Sequence, residues 1–217
     1  MSAPEPSPPK PATPAPIDTR RYGWIVGLLA AVLAVTFLLY TLSSKEPATA
    51  GVPAGSRLHF FAAPLAATTL DGDANLSPPC TLARHDPRAL NVCLLVKRAP
   101  LVLGFFVLDS SACEREVSTL QALAGVPALR GVQFAAVAIH SSHAATDRVV
   151  HRHGWTIPVA YDADGAVGEV YSVTACPMIE VSKRGGTVAG RLIGEHWLNE
   201  SALEARVRTL LVPGSAG

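Results

Sequence analysis

Leu101-Val-Leu-Gly-Phe-Phe-Val-Leu108, followed at once by Asp109-Ser-Ser-Ala-Cys-Glu-Arg-Glu-Val-Ser-Thr-Leu-Gln-Ala-Leu123, is the stretch on which the fold turns. Its first half is an unbroken apolar run, the mark of a strand covered on both faces. In its second half apolar side chains recur at 113, 117, 120 and 123, a helical spacing. Between the two, Ser111 and Glu114 fit a capping box, with Ser111 as N-cap and Glu114 reaching back. The stretch therefore predicts a buried strand, a tight turn and a helix whose first turn carries Cys113. A thiol there meets free backbone N–H groups and the positive end of the helix dipole, both of which favour thiolate. The alternative for this stretch alone is that the serines cap a helix and Cys113 is a small buried apolar residue.

Outward from this stretch, the next segments alternate. Val132–Ile139 reads as a second buried strand, Ala144–His153 as a helix closed by Gly154, and Ile157–Tyr161 as a short strand ending in the Asp162-Ala-Asp-Gly165 turn. Ala166–Tyr171 is a brief helix before Thr174-Ala-Cys-Pro177. Met178–Ser182 and Val188–Ile193 flank Lys183-Arg-Gly-Gly186, a hairpin signature. Ser201–Leu211 is a closing amphipathic helix. Upstream, Ala63–Leu70 with Asp71-Gly72 reads as a short edge strand and a turn, and the stretch from Ser77 to Val96 as an irregular insert. The expected fold class is α/β, a mixed central sheet flanked by helices.

The chain has 217 residues and a net charge of +1, with no run of basic residues to attract nucleic acid. Residues 1–21 hold seven prolines among Ser, Ala and Thr and cannot bury a core. From Tyr22 to Ser44 there is no charge, and Trp24–Tyr40 is nearly all hydrocarbon, a length that spans a bilayer core of about 30 Å. Arg20 and Arg21 at its near end, against Lys45 offset by Glu46 at the far end, set the N-terminus inside. The sequence thus predicts a Pro-rich cytoplasmic tail (1–21), a single-pass membrane helix (22–43), a small-residue linker (44–56) and an outward-facing domain (57–217). A cleaved secretory signal is the competing reading, since Ala48-Thr-Ala50 resembles a cleavage site and Thr19-Arg20-Arg21 faintly resembles a twin-arginine signal. The run is longer than a signal core, which favours the anchor.

All four cysteines (80, 93, 113, 176) then fall on the outer side, where disulfides persist. Four cysteines allow three pairings. Cys80 and Cys93 stand 13 positions apart around the insert; joined, they would restrict the unfolded chain by roughly 3 kcal/mol, a structural role.

Taken together, the order and motifs resemble the thioredoxin-like proteins of the TlpA/ResA type, membrane-tethered extracytoplasmic thiol–disulfide oxidoreductases. Ala63-Pro64 with Leu70-Asp-Gly72 resembles the family's opening A-P-x-F-x-L…D-G. Leu101–Phe106 resembles its core strand, Cys113-Glu-Arg-Glu116 its C-x-x-E, and Tyr161–Gly165, Tyr171-Ser-Val173 and Cys176-Pro177 its D-x-x-G, Y-x-V and V-P-T stretches. The resemblance covers about 63–211 except the insert, and implies a thioredoxin-like fold without a cofactor. It implies that Pro177 is cis and faces the site, and that Glu116 tunes cysteine acidity and moves protons. It also shows a departure: Ser110-Ser-Ala-Cys113 lies where C-x-x-C belongs, so Ser110 replaces the attacking cysteine and Asp109 the preceding tryptophan. Serine does not exchange with disulfides, so the usual two-thiol cycle is impossible there. Cys176, one residue before the cis-proline, is the expected replacement partner of Cys113, acting on protein thiols and disulfides of the cell envelope.

Three other functions are weighed against this one. A catalytically inactive module could hold an extended partner in the cis-proline groove. Phe106-x-x-Asp109-Ser110-x-x-Cys113 resembles a peroxiredoxin site with Cys113 as peroxidatic thiolate, but Phe106 stands at the required proline and the family's arginine has no counterpart. Cys113 and Cys176, with His140 or His143, could bind Cu(I), although His140, His143, His151 and His153 read as solvated. Glu180 lies mid-strand beside the expected site and is either a proton carrier or solvated. Trp155 and Trp197 are packing residues.

Overall fold

The structure, a computed structural model, describes residues 20–43, 50–77, 80 and 85–211. The expectations for the proline-rich tail up to 19, for 44–49, and for most of the 78–84 insert lie outside the described residues. The chain divides into two units, Met1–Pro47 and Ala48–Gly217.

In the first unit, α1 (Arg20–Ser43) is a 24-residue helix. Its side chains are described over 23–37, where Trp24, Leu28, Leu29, Leu33 and Phe37 are all exposed. Among the described residues no helix is long and apolar enough to cross a membrane.

The second unit is built on β3 (Leu101–Phe106), the stretch quoted above. It lies at the centre of a five-stranded sheet, between β4 (Gln133–Ile139) and β6 (Met178–Ser182). Beyond them stand β5 (Val159–Asp162) and β7 (Val188–Ile193), in the order β5-β4-β3-β6-β7. β3, β4 and β5 are parallel, while β6 and β7 run antiparallel to their neighbours. A continuously apolar β3 is what a strand covered on both faces requires, and all six of its residues are buried.

Two crossovers, α3 (Ser111–Ala124) and α4 (His143–His153), step the chain from β3 to β4 to β5 in one direction. Right-handed connections then put both helices on one face. Alternation along β3 shows the result. Val102 and Phe106 pack with Val117, Leu120 and Val150 and with Leu203 of α6 (Glu200–Leu211), while Leu101, Leu103 and Phe105 pack on the opposite face. That second face is covered by α2 (Val92–Arg98), by α5 (Ala166–Val170) and by the incoming segment around Val52 and Leu58.

Three expectations are corrected. The strand expected over Ala63–Leu70 is only Ala62–Pro64 (β1), paired antiparallel with β2 (Ala89–Asn91) in a separate two-stranded sheet. Its Pro64 and the Thr68 side chain, which turns back onto Leu65 O, end the extended run. The insert is not wholly irregular, because Val92–Arg98 is a helix capped by Asn91, whose side chain accepts the Leu94 N–H. The buried strand stops at Phe106, for Val107 is 40% exposed.

Candidate functional site

β3 delivers the chain to α3 through a tight turn in which Asp109 adopts φ 60°, a left-handed conformation unusual for a side-chain-bearing residue. Ser110, not Ser111, is the N-cap, and its side chain makes no capping hydrogen bond. The expected capping box is therefore not formed. Glu114 reaches back to the Asp109 N–H (3.2 Å), which fastens the strained residue to the helix. The same carboxylate accepts both Arg152 Nη2 (3.0 Å) and His153 Nε2 (2.8 Å) from the end of α4. Burial opposes its ionisation, but the His153 and Arg152 hydrogen bonds outweigh it and hold the carboxyl below its usual range.

Cys113 is the third residue of α3, 3% exposed, in the first turn where the free N–H groups gather. It is disulfide-bonded to Cys176, with Cα atoms 5.4 Å apart across 63 residues of sequence. Cys176 sits in the loop entering β6, and the Cys176–Pro177 peptide is cis, as the resemblance implied. Cys176 is the more accessible of the two sulfur-bearing residues. The second disulfide, Cys80–Cys93, has a Cα separation of 5.9 Å and ties the insert to α2.

Glu116 lies one turn into α3, fully buried between the helix and the sheet. Its Oε2 accepts the Met178 N–H (3.1 Å) and stands 3.5 Å from Cys176 Sγ. Burial pushes its carboxyl well above the ordinary carboxylate range, with the Met178 N–H acting the other way. The group is thus a carboxyl at the edge of the disulfide whose proton burial helps to retain. Space for it exists because residue 104 of β3 is glycine. A Cβ there would lie 2.7 Å from Glu116 Oε1 and 2.6 Å from Leu120 Cδ1. An isolated glycine inside an apolar strand signals such a close approach, and Gly104 is that signal in this sequence.

Glu180 is not beside this site. Strand alternation turns it to the opposite face, where it is fully buried and Oε1 accepts the Val52 N–H (2.6 Å). Burial raises its carboxyl to about 7, against the pull of that N–H and of Arg191. It is neither solvated nor placed to serve the cysteines. Of the four histidines expected to be solvated, His140 is exposed and the other three are engaged elsewhere. His143 Nε2 bonds to Ala66 O and its ring stacks on Tyr161, His151 meets Asp147, and His153 stacks on Trp155. Trp155 is buried, edge-on to Phe106, and Trp197 packs partly buried on the same core. Among the described residues no group of three or more His, Cys, Asp or Glu side chains could hold a metal ion. Beside Cys176 opens a cavity of about 220 Å³ lined by Phe105, Phe106, Val107, Val173, Thr174 and Ala175, without a charged side chain.

No family profile and no curated protein sequence matches the chain. Solved structures do. A protein assigned as the thiol:disulfide interchange protein DsbE from Chlorobium tepidum is similar at 16% identity and a TM-score of 0.58, over 74% of this chain and 99% of that one. Peroxidoxin BcpB from Mycobacterium tuberculosis is similar at 15% identity and a TM-score of 0.55, over 72% and 95%. An uncharacterized thioredoxin-like protein from Porphyromonas gingivalis is similar at 17% identity and a TM-score of 0.50, over 75% and 96%. At these identities the likeness is one of fold, and with the mixed five-stranded sheet, its flanking helices and the cis-proline loop it shows that the second unit has a thioredoxin-like fold.

Proposed function

We propose that this chain is a membrane-tethered thioredoxin-like protein that exchanges disulfides with protein thiols outside the cytoplasm, using Cys113 and Cys176 in place of C-x-x-C. The observation that carries the reading is the disulfide itself. It joins the first turn of α3 to the cis-proline loop, with a buried carboxyl 3.5 Å from one sulfur. Exchange needs a thiolate-favouring end, an accessible sulfur and a proton source, and the helix N-terminus, Cys176 and Glu116 supply them in that order. Ser110, at the N-cap, stands where the lost cysteine would be and takes no part in electron transfer. The tether rests on the uncharged run from Tyr22 to Ser44 in the sequence, and its orientation on Arg20 and Arg21.

The test uses the full-length chain in detergent. Mass mapping without reduction should find 113 linked to 176, and a dithiol peptide should reduce that bond while becoming oxidised. Cys113→Ser and Cys176→Ser should each abolish turnover. A wild-type chain whose 113–176 bond no dithiol peptide reduces would leave only a binding module.

A further inference from the structure

Resting on that reading, we infer that Cys176 is the sulfur that forms the mixed disulfide with the partner, and that the partner presents its cysteine beside an apolar, uncharged side chain. In the usual arrangement the residue at the N-terminus of the site helix meets the substrate. Here the observations point the other way, to the sulfur on the loop.

Access is the first. Cys113 is 3% exposed beneath its own helix, whereas Cys176 is partly exposed and forms part of the cavity wall. A thiolate must approach one sulfur along the line of the S–S bond, and the Cys176 end opens on a space that can hold the approaching group. The second observation concerns the leaving group. Attack on Cys176 expels Cys113 as thiolate into the first turn of α3, among free N–H groups and the positive end of the helix. Attack on Cys113 would expel Cys176 instead, a residue carried on the loop entering β6 and not on the helix. A thiol whose anion is favoured leaves faster. Proton supply is the third, because Glu116 stands beside Cys176, the sulfur that leaves last in the cycle.

A partner thiolate attacks Cys176 Sγ, the Cys113–Cys176 bond breaks, and Cys113 departs as thiolate. The second partner thiolate then attacks the partner sulfur of the mixed disulfide. Cys176 leaves and takes the Glu116 proton, and the partner becomes a disulfide while the pair becomes reduced by two electrons. In reverse, the Cys176 thiolate attacks a partner disulfide and Cys113 resolves it.

The cavity sets the partner's chemistry. Val107, Val173 and Ala175 offer mostly hydrocarbon beside the sulfur, Thr174 offers one hydroxyl, no lining side chain is charged, and a charged neighbour of the partner cysteine would be desolvated there without a counter-charge. An extended segment with Leu, Val or Phe next to its cysteine fits; one with Asp or Glu does not.

The test uses the full-length chain in detergent and two synthetic peptides, Leu-Cys-Leu and Asp-Cys-Asp, each activated as a thionitrobenzoate mixed disulfide. The reduced Cys113→Ala variant, which keeps Cys176, should release chromophore about tenfold faster than the reduced Cys176→Ala variant, on the scale by which burial and access alter thiol exchange. With Cys113→Ala the leucine peptide should react several-fold faster than the acidic one, and Val107→Asp should erase that preference. As a measurement that needs no cysteine variant, the oxidised wild-type chain is treated with substoichiometric Leu-Cys-Leu thiol and quenched in acid. Mass mapping should find the adduct on 176. An adduct on 113, or faster reaction of Cys176→Ala, overturns this assignment while leaving thiol exchange intact. Equal rates for the two peptides overturn the partner chemistry. Failure of both variants and of the wild-type bond to react removes the exchange function itself.

Discussion

Glu180 offers the sharpest quantitative test of the fold, because its carboxyl is fully buried on the face away from the cysteines and is raised to about 7. Its unfolded value is the ordinary 4.5. Between those two values the folded chain holds a proton that the unfolded chain has lost, so folding is favoured at low pH and this contribution fades as pH rises through about 7. The shift of roughly 2.5 units corresponds to about 3 kcal/mol over the whole range, of which about 2–3 kcal/mol is lost between about pH 5 and about pH 8. In Glu180→Gln the side chain stays neutral at every pH, and its amide oxygen can still accept the Val52 N–H.

At about pH 5 the variant and the wild type should therefore be nearly equal in stability. At about pH 8 the variant should be the more stable by about 2–3 kcal/mol, or roughly 5–10 °C in melting temperature for a domain of this size. Other raised carboxyls, Glu116 and Asp162, tilt both curves alike, so the difference between the curves isolates Glu180. The assay is thermal or denaturant unfolding of the full chain at several pH values, with both disulfides intact. Parallel curves would refute the reasoning, since they would mean that Glu180 ionises normally in the folded state and that the Val52 clamp is open to water.

Gly104→Ala should destabilise by about 1–3 kcal/mol, since its Cβ would lie 2.6 Å from Leu120 Cδ1 and 2.7 Å from Glu116 Oε1. It should also disturb the pH profile of thiol exchange, because the displaced group is the Glu116 carboxyl; an unchanged profile would detach Glu116 from the chemistry. Cys93→Ala, which opens a bridge across 13 residues, should lower stability by about 3 kcal/mol in denaturant while the 113–176 bond still exchanges. Glu114→Gln should cost about 1–2 kcal/mol near neutral pH through the lost charged bonds to Arg152 and His153. Because the folded carboxyl is held below its usual 4.5, that difference should shrink as pH falls through and below about 4, which acid unfolding of the two chains would show.

What the chain's sequence made legible was set by periodicity. The apolar run at 101–106, the spacing at 113, 117, 120 and 123, and the Gly-Gly hairpin appear in the fold nearly where they were expected, because each is local and strongly patterned. The helix Val92–Arg98 was hidden, since seven residues are too few for two turns of period to stand out among prolines and a cysteine. The N-cap slipped by one because Ser110 and Ser111 are equally good caps on paper, and only the left-handed Asp109 decides between them. Glu180 was misplaced for a different reason. Its neighbourhood in sequence says that it is four residues beyond Cys176, but strand alternation puts it on the face opposite Ile179 and Val181, against Val52, more than a hundred residues away. The pairing of Cys113 with Cys176 came from the family resemblance, and no local pattern reports it.

That pairing also changes how redox state bears on folding. A C-x-x-C bridge closes a ring within one turn of helix, so breaking it frees almost no chain. Cys113–Cys176 spans 63 residues, and includes β4, α4, β5 and α5 within the closed loop. On the chain-entropy account such a closure restricts the unfolded state by about 4 kcal/mol. Linkage makes the effect mutual: whatever the bridge adds to folding, folding adds to the bridge. The structure therefore favours the oxidised pair more than a local C-x-x-C scaffold would, and a partner must supply that difference to reduce it. Binding in the cavity beside Cys176 is where it can be supplied, because hydrocarbon buried there lowers the energy of the mixed disulfide before Cys113 is released. A groove of that kind is dispensable for a bridge that is easy to open, and becomes necessary when the bridge holds a third of the chain together.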